Sequence, residues 1–139
     1  MMRDAFKKQH GAAIQCVARA RGLRLVVLYG SVARGTETRA SDVDIAVLAH
    51  SPLSPEDEAV IAEELAHETG LPNIEVKSLH RVAPLFLDTV LREGLVLYED
   101  APDRARALSL YAWKLSQESK FLRKARYHRA RERLGTHVG

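Results

Sequence analysis

The stretch LVVLYGSVARGTETRASDVDIAVLA, residues 25–49, constrains the fold more than any other part of the chain. It opens on an apolar run, Leu25–Tyr29, suited to a buried central strand. It closes on a run that alternates carboxylates with apolar residues, Asp42-Val43-Asp44-Ile45 and onward. A tight turn is expected at Gly30-Ser31, followed by a polar connection to Ser41. Successive side chains of a strand point to opposite faces, so Asp42 and Asp44 share one face while Val43, Ile45 and Val47 share the other. The apolar set belongs against a core. Two carboxylates side by side repel, and selection for stability alone would avoid them. A divalent cation removes the repulsion, and hard oxygen donors suit Mg²⁺. Gly30-Ser31 is the complement: the glycine lets the backbone approach a ligand, and its N–H groups with the Ser31 hydroxyl suit phosphate oxygens. The stretch therefore points to metal-assisted chemistry on a nucleotide.

Helical periodicities surround it. Residues 3–21 carry Phe6, Ala13, Ile14, Val17 and Ala20 at helical spacing, with Gly22 placed to end the helix. Ser54-Pro55, followed by Glu56, Asp57 and Glu58, is a strong helix start. Ala59, Ile61, Ala62, Leu65 and Ala66 supply its stripe, and Gly70-Leu71-Pro72 stops it. Ile74–Leu79 reads as a third strand with Ile74, Val76 and Ser78 on one face and Glu75 and Lys77 on the other. A short helix over 82–93 is closed by Gly94, and Leu95–Tyr98 forms a fourth, edge strand. Pro102-Asp103 opens a final helix with the stripe Leu108, Tyr111, Ala112, Leu115 and Leu122. Continued to about residue 133 it would be roughly 45 Å long, more than a domain this small covers, so its end is expected to project or meet a partner. The expected architecture is α/β (α+β) in one domain, 1–139. It has a mixed sheet of about four strands, helices mainly on one face, and Asp42, Asp44 and Glu75 on the other.

Composition narrows the class. The single Cys16 excludes a disulfide framework and a cysteine metal site, so a reduced, cytoplasmic setting is expected. The N-terminus MMRDAFKKQHG has no apolar signal region, and no run approaches the roughly 20 apolar residues of a membrane span. The six histidines are scattered without ligand spacing and read as surface or packing residues. The net charge of +3 hides an asymmetry: residues 120–133 hold Lys120, Arg123, Lys124, Arg126, Arg129, Arg131 and Arg133 against one acid, Glu132. Such a stretch is a solvated face, a protein-docking face or, less favoured, a nucleic-acid contact, since only Phe121 and Tyr127 are at hand to stack on bases. Trp113 with Tyr111 suits an interface or core.

Gly30-Ser31, ten intervening residues and Asp42-Val43-Asp44 together resemble the signature of the nucleotidyltransferase superfamily related to DNA polymerase β. The longer string GSVARGTETRASDVDIAV resembles the minimal nucleotidyltransferase branch, especially the MntA-type antitoxins paired with HEPN-domain RNases. The likeness continues through IEVKSLHRVAPLFLDTVLREGLVLYE, and so covers about residues 23–100. It implies an antitoxin that transfers AMP from ATP to a tyrosine hydroxyl of a HEPN toxin and silences it. Gly30 and Ser31 would hold the triphosphate, Arg34 would contact phosphate, and Ser41 would order the loop before Asp42. Asp42 and Asp44 would bind Mg²⁺, two ions in such chemistry, with Glu75 as third carboxylate. The C-terminal helix, about 102–133, would dock the partner. Two positions depart from the pattern. Glu75 stands where Asp is frequent, with Lys77 as an alternative partner for its charge, and Ser78 stands where a second acid is common. Transfer to a small molecule or an RNA end, and a non-catalytic binding module, are the competing readings.

Overall fold

In the computed structural model, residues 3–37 and 41–138 are described, with side chains through Arg133. In chain order the elements are α1 (Arg3–Ala20), β1 (Leu25–Tyr29), α2 (Gly30–Arg34), β2 (Val43–Leu48), α3 (Pro55–Thr69), β3 (Ile74–Ser78), α4 (Pro84–Glu93), β4 (Leu95–Glu99) and α5 (Arg104–Val138). The strands form one mixed sheet of order β3-β2-β1-β4. β1 is antiparallel to both β2 and β4, and β2 is parallel to β3. The expected edge position of β4 holds. The parallel pair follows from chemistry: α3 lies between β2 and β3, and a parallel connection needs such a crossover.

Local signals set the helix limits. Ser54 and Asp57 form a reciprocal capping box at the start of α3, with Pro55 just inside, and Gly70 in the left-handed conformation ends it. Gly22 likewise has φ +64 at the end of α1. On α1 the buried line is Phe6, His10, Ile14, Val17 and Ala18, while Ala13 is half-buried and Ala20 exposed. The bulk of Phe6 and Ile14, not the alanines, fixes the rotation of the helix. Cys16 is exposed.

The connection after β1 differs from the expected turn and loop. Gly30 and Ser31 begin a single helical turn, α2, because Val32 and Ala33 can be buried beneath it; Gly35 at φ +74 ends that turn. Of the polar connection, residues 38–40 lie outside the described residues.

The expectation of helices mainly on one face also needs correction. One face of the sheet, with Val26, Leu28, Val43, Ile45, Val47 and Val76, packs against Phe6, Ile14 and Val17 of α1 and Ile61 and Leu65 of α3. The opposite face buries Leu25, Val27 and Ala46 against Leu87 and Val90 of α4 and Ala112 of α5. Alternation makes the reason plain: Val27 and Ala46 are as apolar as their neighbours, so both faces need cover. At the end of the second face that carries the carboxylates, Asp42 and Glu75 are exposed and Asp44 is half-buried. At the far end, Arg104 makes a two-pronged ion pair with Asp100 (2.7 and 3.1 Å), and the Glu99 carboxylate accepts from the Ala105 N–H at 3.0 Å. These contacts fix where α5 departs.

Candidate active site

Sheet register does most of the assembly. Tyr29 is paired with Asp44 across β1 and β2, and Asp44 with Glu75 across β2 and β3. Directly paired residues share a face, so Tyr29, Asp44 and Glu75 form a row across three strands, with neighbouring strands about 4.8 Å apart. Asp42, two residues before Asp44, lies on the same side and is exposed, as is Glu75; Asp44 is half-buried. The electrostatics record the crowding. Burial pushes the Asp44 carboxyl above its ordinary value, and the charges of Glu75 and Asp42 push it further, with Arg34 offsetting part of this. The Tyr29 hydroxyl is pushed up to about 12 by burial and then by Asp44, Glu75 and Glu58, so it stays protonated.

Gly30 is required here twice over. Its φ of +75 favours glycine. A Cβ built on it would also overlap the Asp44 carboxylate, with Cγ at 2.9 Å and Cβ at 3.2 Å. The carboxylate is thus folded against the backbone at the start of α2, next to Ser31. The Ser31 carbonyl accepts from the Thr36 N–H at 2.9 Å, which ties down the end of the turn. Beside this turn a cleft of about 200 Å³ runs between α2 and α4, lined by Tyr29, Gly30, Ala33, Arg34, Phe86, Thr89, Val90 and Glu93. Phe86 meets the Tyr29 ring edge-on, with centroids 5.7 Å apart. Lys77 places its ammonium 4.9 Å from the centre of the Phe86 ring. It therefore does not neutralise Glu75: no ion pair joins the two among the described residues. The oxygens on offer to a cation are those of Asp42, Asp44 and Glu75, a hard donor set that fits Mg²⁺. As they stand, no three His, Cys, Asp or Glu groups among the described residues converge closely enough to enclose an ion.

The polymerase beta nucleotidyltransferase family model matches residues 13–103. The chain belongs to that family. Comparison with curated proteins finds no match. Among solved structures, the nucleotidyltransferase superposes on a toxin–antitoxin complex with AMP-PNP at a TM-score of 0.73 and 24% identity, covering 86% of this chain and 97% of that one. It is similar to a structure of a tri-AMPylated HEPN toxin with its MNT antitoxin from Shewanella oneidensis (TM-score 0.69, 20% identity, 89% and 98% covered). It is also similar to an MntA–HepT toxin–antitoxin complex (TM-score 0.68, 20% identity, 88% and 97% covered).

The structure of this nucleotidyltransferase brings together most of the residues singled out in its sequence. Gly30, Ser31, Asp42, Asp44 and Glu75 surround one end of the sheet, and Arg34 on α2 lies close enough to Asp44 to act on its charge. Ser41 is half-buried directly before Asp42. Ser78 is turned to the other face, buried, with its N–H donating to Glu58 Oε2 at 2.8 Å. Sequence reasoning missed Tyr29, Phe86 and the cleft. The cleft had a signal, Phe86, Val90 and Glu93 at helical spacing, whereas the place of Tyr29 comes from its register with Asp44.

Proposed function

We propose that this nucleotidyltransferase is an antitoxin that transfers AMP from ATP to a tyrosine of a HEPN-domain toxin. The observation that carries the reading is the carboxylate row set against the Gly30-Ser31 turn at one end of the sheet. Relatives of this fold described with AMP-PNP and with a tri-AMPylated HEPN toxin support it. In the reaction the acceptor tyrosine oxygen bonds to the α-phosphorus of ATP. The bond from that phosphorus to the bridging oxygen breaks, pyrophosphate leaves, and the phenolic proton passes to solvent.

Gly30 and Ser31 hold phosphate oxygens, and Arg34, planar and always charged, adds a fork suited to them. Ser41 orders the approach to Asp42. Asp42, Asp44 and Glu75 would hold Mg²⁺, which would supply Lewis-acid stabilisation of charge on phosphate and leaving group. The raised Asp44 carboxyl fits that role, because a cation would offset both the burial and the neighbouring charges of Glu75 and Asp42 that raise it. Tyr29 pairs with Asp44 and meets Phe86 edge-on, so it forms a wall of the site. In this reading the acceptor tyrosine belongs to the partner.

The test uses the purified protein, ATP labelled at the α-phosphate, Mg²⁺ and the proposed HEPN-domain partner. Label on a partner tyrosine, lost in Asp42→Asn/Asp44→Asn, is expected. A tight complex that acquires no label from the unaltered protein would overturn the reading.

A further inference from the structure

We infer that Lys77 faces the attacking oxygen, its ammonium stabilising the negative charge that develops on the acceptor as it reaches the α-phosphorus. The inference deepens the reading above and rests on it. Lys77 lies on β3 two residues after Glu75, in register with Ala46 as Glu75 is with Asp44. It therefore shares the face of the carboxylate row and stands one step in from it, about 7 Å along the strand. The side chain is exposed. Its ammonium lies 4.9 Å from the centre of the Phe86 ring, and Phe86 in turn meets Tyr29. No ion pair holds Lys77 among the described residues. A lysine that rests on a ring, with a glutamate two residues away on its own face, is a cation in reserve. An exposed cation–π contact is weak enough to be exchanged for a full negative charge.

The order of the strands says which charge it meets. From the Gly30-Ser31 turn the row runs across β1, β2 and β3. In the proposed reading the phosphates sit at the β1 end, with Gly30, Ser31 and Arg34, and the α-phosphorus lies by Asp42 and Asp44. Entering and leaving oxygens lie in line, on opposite sides of the phosphorus. With pyrophosphate leaving toward β1, the tyrosine oxygen enters from the β3 side, where Glu75 and Lys77 stand. β3 is an edge strand, so a side chain of another protein can come in over it. Arg34 and Lys77 then serve opposite ends of one displacement.

In that step the bond from the tyrosine oxygen to the α-phosphorus forms, the bond to pyrophosphate breaks, and the phenolic proton goes to solvent. Lys77 takes no proton, because an ammonium has donors only. The charge it meets appears only as the phenolic oxygen gives up its proton, and stabilising such charge raises the rate without tightening nucleotide binding. A lysine whose stem only covers Phe86 is the competing account. Lys77→Met keeps that cover and removes the charge.

The experiment compares the unaltered protein, Lys77→Met and Lys77→Arg in transfer from α-labelled ATP to the proposed HEPN-domain partner, with AMP-PNP affinity measured by calorimetry. Lys77→Met should lower kcat about a hundredfold, the cost of losing one donor to a developing negative charge. KM for ATP, AMP-PNP affinity and the urea midpoint should stay unchanged, and Lys77→Arg should recover most of the rate. Transfer by Lys77→Met at the unaltered rate overturns the inference. So does weakened AMP-PNP binding in that variant, which would assign the ammonium to the phosphates, or an equal loss in Lys77→Arg. The two readings fail distinguishably. No transfer by the unaltered protein removes the enzymatic reading and this inference with it, whereas full transfer by Lys77→Met removes this inference alone.

Discussion

Gly30→Ala probes the geometry on which the site depends. Two costs are expected. Holding a non-glycine residue at φ +75 costs about 1–2 kcal/mol. The new Cβ also overlaps the Asp44 carboxylate, forcing that side chain off its rotamer at about 0.5–1.5 kcal/mol. The sum, about 1.5–3.5 kcal/mol, corresponds to a fall in melting temperature of roughly 5–12 °C for a chain of this size. The second cost belongs to a pair and a double-mutant cycle isolates it. In an Asp44→Ala background the carboxylate is gone, so Gly30→Ala should then cost only the backbone part. The coupling free energy from urea unfolding of the four proteins should be about 1 kcal/mol. Costs that add to within about 0.5 kcal/mol would refute the claim that Gly30 is a glycine because Asp44 lies against it.

Other outcomes follow from the same coordinates. Asp44→Asn should stabilise the ligand-free protein at neutral pH while abolishing transfer. The folded carboxyl is raised, so its ionisation opposes folding above that value, and the advantage of the variant in thermal melts should fade as pH falls toward about 3.8. His10 is buried against Phe6, with Nε2 unpartnered, and its pKa is lowered by burial. The unfolded chain therefore takes up the proton first, and stability is lost as pH falls below about 6.5; His10→Leu should flatten that slope in urea titrations between pH 5 and 7 (roughly the span of the lowered group). Ser54→Ala removes one half of the α3 capping box and should cost about 1 kcal/mol without changing AMP-PNP affinity.

Much of the fold is legible because its signals are local. Ser54-Pro55 with Asp57, Gly22 and Gly70 mark helix ends whatever the tertiary structure, and period-two alternation around Asp42-Val43-Asp44 assigns two faces unaided. The missed features are those that depend on what packs where. α2 exists because Val32 and Ala33 find a core beneath them, which no turn signal at Gly30-Ser31 announces. The cover on the second face depends on α4 and α5 reaching Val27 and Ala46, and alternation along β2 says nothing of how far they reach. Tyr29 was invisible as a site residue because its role comes from register with Asp44, a partner fifteen positions away and on an antiparallel strand. No helix among the described residues is long and apolar enough to cross a membrane, in keeping with the absence of such a run in the sequence.

The two departures from the family pattern carry different weight once the faces are known. An acid at position 78 would point into the α1 and α3 side of the sheet, beside Glu58, whose carboxylate already holds the Ser78 N–H. It would be buried among apolar residues, far from Asp44 by direction, so Ser78 costs the carboxylate row nothing. Glu75 matters more. It sits on the edge strand, and of the three carboxylates it is furthest from the Gly30 turn in strand order. Its extra methylene, relative to Asp, extends its reach across the face toward Asp44. Lys77, the cation best placed to claim it, is held over Phe86, and Phe86 is in turn held by the edge of Tyr29. With that lysine over the ring, no ion pair to Glu75 is found among the described residues, and in the proposed reading its oxygens serve Mg²⁺.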